Sequence, residues 1–407
     1  YVLSTPRLPG LPDTGIRFRT APAEKGPRAD RVLSETFAVA RMIPDGEQLE
    51  FIDFSSIRLQ FTQPLDTSTL RYGDSISLRA NGELVPATLL ARGRFVTLDP
   101  DDDLQPGTSY TLSVSSAVQS RYGDALVPMT QQFVPRDAGA TSVLPLLAPA
   151  SGERSVLTGD TVNLVPVIAS LLGENTASQQ EGMIFAELAF LPDFPDVSPL
   201  RIARGGLLMG DELVVRVGGE VPAGFNSGTV TVEIISDAVG YLLPNPFSRN
   251  PNAPRQLRVL MDIAISTGDP EANAAFNQNI LHLELIGQAI VEDGRLTADA
   301  LTVVEPEVLG VETAFGALSF RMQSFGDDDE RPDPIPDLRE FAVQSWMPGR
   351  NVPPFQDNTD KQRPGDPVVV NFTRAPDLNS LGLGSDLPRL EVISAGQPVP
   401  FDARLDG

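Results

Sequence analysis

The chain has no cysteine, one histidine and one tryptophan in 407 residues. Without thiols there are no disulfides, no thiolate nucleophile and no zinc–thiolate site. A lone His282 also excludes metal centres built from several imidazoles and bis-histidine haem ligation. Long apolar runs are missing: the richest, Val143–Ala148, is interrupted by Pro145 and is far too short for a membrane-spanning helix. Positive charge is scarce, with 31 Lys and Arg against 54 Asp and Glu and a formal net charge of −23. That balance disfavours nucleic acid and anionic lipid as partners, so neither nucleic-acid binding nor direct membrane insertion is expected. Nucleophile-elbow and phosphate-loop patterns are absent as well. No catalytic, cofactor-binding or metal-binding residue is therefore nominated, and the chain reads as a non-enzyme.

What the chain does have is 41 % apolar residues, 37 prolines and 34 glycines. The apolar content suffices for real cores, and the length suits two to four domains. Proline and glycine are scattered throughout, while helical periodicity is scarce and short alternating runs are common. This favours an all-β protein of many short strands.

Ile57–Val134 is the organising stretch. It runs from IRLQF and TQPLD through Phe95–Pro100 (FVTLDP) to Leu104–Val114 (LQPGTSYTLSV), then Arg121–Leu126 (RYGDAL). These segments, with Phe61, Pro64 and Asp66, resemble the bacterial Ig-like domain found in tandem in S-layer and other surface proteins. The resemblance implies a small antiparallel sandwich and a cell-surface or extracellular setting. By analogy with other sandwiches, Tyr110 is expected in or near the core with its hydroxyl bonded to backbone. Asn81–Gly82, between alternating segments, is a hairpin signal.

Fragments of the same pattern recur. Tyr1–Ser4 (YVLS) echoes Tyr110–Ser113 (YTLS), Val368–Leu381 echoes Ile57–Leu70, and Ala395–Pro400 echoes Asn81–Pro86. The expected organisation is thus the end of a preceding Ig-like repeat plus linker at 1–30 and a complete Ig-like domain at 31–135. A linker follows at 136–157, a larger antiparallel β-sandwich at 158–325, an acidic proline-rich linker at 326–337 and an incomplete Ig-like repeat at 338–407. The fold class is all-β: tandem Ig-like sandwiches with a larger antiparallel sandwich between them. Two expectations suit such ends, an excerpt of a tandem array or a subunit joining its neighbours head to tail.

Two acidic clusters, Asp99 with Asp101, Asp102 and Asp103, and Asp327–Glu330, are calcium candidates because that ion takes several oxygen ligands from a flexible loop. Neither carries the EF-hand pattern, so a solvated acidic loop is the plainer reading. His282 alternates with Leu281, Leu283 and Leu285 and would point away from them beside Glu284, as a surface or groove histidine. The expected role is structural or adhesive, in a stalk, surface layer or fibre whose partners are copies of itself or neighbouring subunits. The alternative is a lectin-like module at 158–325 that binds surface glycans and is presented on Ig-like spacers.

Overall fold

The computed structural model describes residues 26–139 and, with short breaks, 141–325, together with short strand segments at 2–3, 16–17, 343–347, 368–372, 391–394 and 396–400. Near the start, β1 (Val2–Leu3) pairs antiparallel with β2 (Ile16–Arg17).

The first domain is a sandwich of β3 (Val39–Ile43), β4 (Ile57–Phe61), β5 (Ile76–Ala80), β6 (Glu83–Leu84), β7 (Ala87–Arg92), β8 (Phe95–Pro100), β9 (Tyr110–Val114) and β10 (Met129–Phe133). Two four-stranded sheets, ordered β3-β4-β8-β7 and β10-β9-β5-β6, face each other. Alternation turns Ile57, Leu59 and Phe61 of β4 into one core with Ile76, Leu78, Leu98 and Leu112. The intervening Arg58 and Gln60 are buried too, on the opposite face. That outer burial signals that another body covers this sheet.

Local chemistry sets the turns as expected. Asn81 (φ 52°) and Gly82 (φ 88°) join β5 to β6 with Ala80 opposite Glu83, the two-residue turn in which both central residues take positive φ. The Tyr110 hydroxyl accepts the Gln105 N–H at 2.8 Å, and its ring stacks on Phe133.

The second domain contains β11 (Ser142–Ala148), β12 (Leu164–Val167), β13 (Thr176–Leu188), β14 (Ser198–Ile202), β15 (Leu207–Gly210), the β16–β17 hairpin (Val214–Val217, Ala223–Asn226), β18 (Val230–Ile234) and β19 (Ala238–Leu243). It continues with β20 (Arg255–Thr267), β21 (Gln278–Glu292), β22 (Arg295–Val304), the small β23–β24 pair (Glu307–Val308, Glu312–Thr313) and β25 (Gly316–Ser324). The antiparallel sheet runs β11-β25-β22-β21-β20 and then divides. One half of β20 pairs with β18, which leads through β15 to β13; the other half pairs with β19, which leads through β14 to β13. Because β11 pairs with β13 as well as with β25, the sheet closes on itself as a barrel. The expected antiparallel β domain is present, and its two layers are opposite walls of one closed sheet.

One boundary shifts. Ser142–Ala148, placed by sequence in the linker 136–157, is the strand that closes the barrel. Pro145 disguised it, since proline removes a ladder donor and is confined to edges and bulges. Here the second neighbour, β25, pairs only with Leu146 and Leu147, so one side of Pro145 is free of a ladder.

Toward the end, β26 (Val343–Met347) pairs with β27 (Val369–Phe372), and β28 (Val392–Ser394) with β29 (Gln397–Val399). Val343 lies opposite Phe372 with an irregularity before Ser345, as Val39 lies opposite Phe61 with one before Arg41. Ser394 faces Gln397 across Gly396 (φ 76°) as Ala80 faces Glu83 across Gly82. The register of the Ig-like strands is thus reproduced at the positions that the sequence echo marks. The linker 326–337, with its cluster Asp327–Glu330, lies outside the described residues.

Candidate ligand-binding cavity and the seam beside it

Strand alternation turns Leu257, Val259 and Met261 of β20, Leu283 and Leu285 of β21, and Leu296, Ala298 and Ala300 of β22 into the barrel. Alanines at 186, 289, 298 and 300 are too short to meet across it. The space left is a cavity of about 660 Å³, with walls of Leu, Ile, Val, Ala and Met side chains and the single ring of Phe320. That volume lies within the roughly 300–1,000 Å³ of small-molecule sites. Leu191 and Val291 both line it and are 46 % and 64 % exposed, which marks its mouth. Water gains few hydrogen bonds in such a space, and unfilled aliphatic walls forfeit dispersion contacts, so an apolar guest is the matching occupant.

Among the described residues, Arg255 is the only charged residue of the lining. It continues the inward row of Leu257 and Val259 to the end of β20, opposite Ala289. Its Nη2 donates to the carbonyls of Pro195 (3.2 Å), Asp196 (2.7 Å) and Leu242 (3.3 Å).

On the outer wall, the Ig-like domain docks through charge. Arg58 of β4 meets Asp262 of β20 at 3.2 Å and donates to Ser236 Oγ and the Asp237 carbonyl. Burial acts to raise the Asp262 carboxyl, but Arg58, with His282 and Ser236, holds it below the usual carboxylate range. Arg204, in the turn between β14 and β15, reaches Asp99 at 2.8 Å and the Asp101 carbonyl at 3.0 Å. Burial and the nearby Asp237 push Asp99 up to about 7 although Arg204 pulls the other way. Arg201 of β14 pairs with Asp103 (2.7 Å), Asp237 (3.3 Å) and Glu187, with its guanidinium over the Phe54 ring.

In the first acidic cluster, Asp99 and Asp103 pair with arginines of the barrel, and Asp99 is buried rather than solvated. No metal-holding group of His, Cys, Asp and Glu occurs among the described residues.

His282 is corrected outright. It is fully buried, with Nε2 at 3.1 Å from both Thr97 Oγ1 and the Val96 carbonyl of the Ig-like domain, and its N–H donates to Asp262 at 2.7 Å. Alternation failed because β20 and β21 slip register between Met261/Leu283 and Ile263/Ile280, leaving Leu281 and His282 (φ 54°) opposite Asp262 alone. Leu281 is thereby turned out of the barrel onto Leu90 and Phe95. Neither the cavity nor Arg255 was found from sequence; the only signal was a charged residue in phase with the apolar row of β20.

Residues 34–134 match the family described as bacterial Ig-like domain, and that part of the chain is one. Along the whole chain, the sequence is similar to Alkane uptake protein B of Marinobacter nauticus, 36 % identical over 440 aligned positions that cover 100 % of this chain and 40 % of that protein. The chain therefore spans well under half the length of that relative. Among solved structures, the N-terminal part of the bacterial S-layer protein SbsC is similar at 15 % identity, covering 37 % of this chain and 40 % of that one, with a TM-score of 0.22. A longer structure of an S-layer protein of that name has 9 % identity, covers 70 % of this chain and 63 % of its own, and also scores 0.22. No helix among the described residues is long and apolar enough to cross a membrane.

Proposed function

We propose that this chain is a non-enzymatic cell-surface or extracellular protein that holds a long aliphatic molecule in its barrel, with the Ig-like parts as the structural frame that carries and positions it. The observation behind this is the aliphatic cavity of about 660 Å³ with an apolar mouth. The similarity to a protein called an alkane uptake protein supports hydrocarbons as the ligand class. The Ig-like domain at 34–134 supports the surface setting. A glycan suits this cavity poorly, because sugar hydroxyls need several polar partners and, among the described residues, Arg255 and Ser324 are the only lining side chains that offer any.

The test is equilibrium binding of radiolabelled hexadecane to the purified chain. Saturable uptake of about one molecule per chain is expected, and uptake that rises linearly without saturation would overturn the proposal.

A further inference from the structure

We infer that the occupant is an amphiphile, an aliphatic chain ending in a carboxylate, with the tail in the barrel and the carboxylate held at the mouth by Arg255. This rests on the reading of the barrel as an aliphatic binding cavity and specifies the ligand's end group.

A cation at the rim of an apolar cavity is costly unless something compensates it. Four buried arginines of this chain have a carboxylate: Arg58 has Asp262, Arg201 has Asp103, Arg204 has Asp99 and Arg321 has Asp299. Arg94, also buried, donates to the carbonyls of Arg28 and Phe61 and does not line the cavity. Arg255 shares that carbonyl bonding but stands on the cavity wall. Among the described residues no carboxylate pairs with it, and its hydrogen bonds all run from Nη2 to the neutral carbonyls of Pro195, Asp196 and Leu242. Those three bonds fix the guanidinium without neutralising it. Nε is shielded from solvent and has no hydrogen-bond partner.

A planar guanidinium presents donors that match the two oxygens of a carboxylate. Ser324 stands on the same lining, and its Oγ accepts the Leu296 N–H at 2.9 Å, which leaves the hydroxyl proton free to donate. An unsubstituted alkane would fill the barrel and leave the charge of Arg255 unmet. A fatty carboxylate satisfies both parts of the cavity at once.

The experiment compares hexadecanoate with hexadecane on the wild-type chain, Arg255→Gln and Arg255→Lys, with thermal melting to confirm that each variant is folded. The wild type is expected to prefer hexadecanoate. In Arg255→Gln the ratio of hexadecanoate to hexadecane affinity should fall about ten-fold or more, the scale of a hydrogen bond to a charged group, and Arg255→Lys should restore part of it. Equal binding of both ligands by all three proteins would overturn the role of Arg255 while leaving the barrel as an aliphatic site. Binding of neither ligand by the wild type would overturn both readings together.

Discussion

Arg58 and Asp262, both fully buried, meet at 3.2 Å where the outer face of β4 in the Ig-like domain lies against the bulge of the barrel's β20. The contact joins two bodies that each have a core of their own. Around it, Ser56 accepts from Arg58, Ser236 donates to Asp262, and His282 closes the group through its main-chain N–H. Such a network positions more than it stabilises, because desolvation offsets much of the Coulomb attraction. Its effect is to fix one docking geometry between barrel and sandwich.

Removing one partner should therefore be severe. In Arg58→Met the carboxylate of Asp262 stays buried with its cation gone, and the expected loss is about 3–5 kcal/mol. Chemical denaturation of the full chain reads it as a lower midpoint. The double variant Arg58→Met with Asp262→Asn should recover part of the loss, since no uncompensated charge remains. A single variant as stable as the wild type would show that the seam contributes nothing.

Stability should fall on the alkaline side because of Glu233. It lies on β18 between Leu207 and Ala264, is 4 % exposed, and its Oε1 has no partner. Burial pushes its carboxyl from the ordinary 4.5 up to about 8. Burial pushes the His282 imidazole the other way, from 6.5 down to about 4. As pH rises from 4.5 to 8, the unfolded chain releases the Glu233 proton that the folded chain keeps, so stability is lost. As pH falls from 6.5 to 4, the unfolded chain binds a proton at His282 that the folded chain refuses, and stability is lost again. The His282 effect opposes that of Glu233 between 4.5 and 6.5, while Asp99, raised to about 7, adds to the Glu233 loss until about that pH. Relative to wild type, Glu233→Gln should gain a few kcal/mol between pH 4.5 and pH 8, at about 1.4 kcal/mol per pH unit. Urea midpoints at both ends of that range decide it; a constant difference would mean that Glu233 is ionised in the folded chain.

Tyr110→Phe should cost about 1 kcal/mol, because the ring still stacks on Phe133 while the Gln105 N–H loses its acceptor. The urea midpoint of the full chain measures it. No change would mean that water replaces the hydroxyl without loss.

Tyr110 belongs to what the sequence made legible, and the reason is locality. Its acceptor role involves a residue five positions away, and the Asn81–Gly82 turn needs only two residues of the right conformational freedom. The terminal strand pairs were legible because they copy a register already present. Closure of the barrel was not, since β11 and β13 are distant in sequence and each alone is merely an apolar alternation. Charges on the outer strand faces looked solvated; that Arg204 reaches Asp99 from 105 positions away is a fact of docking, not of pattern. At His282 one bulge reversed the phase on which alternation depends. The cavity is the hardest case, because it is the sum of short side chains on strands that no local rule brings together.

That origin makes the cavity testable by filling it. Ala298 lines the space from β22, in register with Ala289 on one side and Met322 on the other. A phenylalanine there would extend into the open centre rather than into packed atoms, so the strain that accompanies overpacking of a dense core should not arise. Burial of a ring against Leu and Ile walls should instead hold or raise the melting temperature. Saturable hexadecane uptake should fall at least ten-fold, because the guest and the ring compete for the same volume. The same experiment on Leu301, which is on β22 but faces outward, supplies the contrast: Leu301→Phe should leave uptake as in the wild type. If Ala298→Phe melts at the wild-type temperature and still takes up hexadecane in full, the ligand lies elsewhere on the chain.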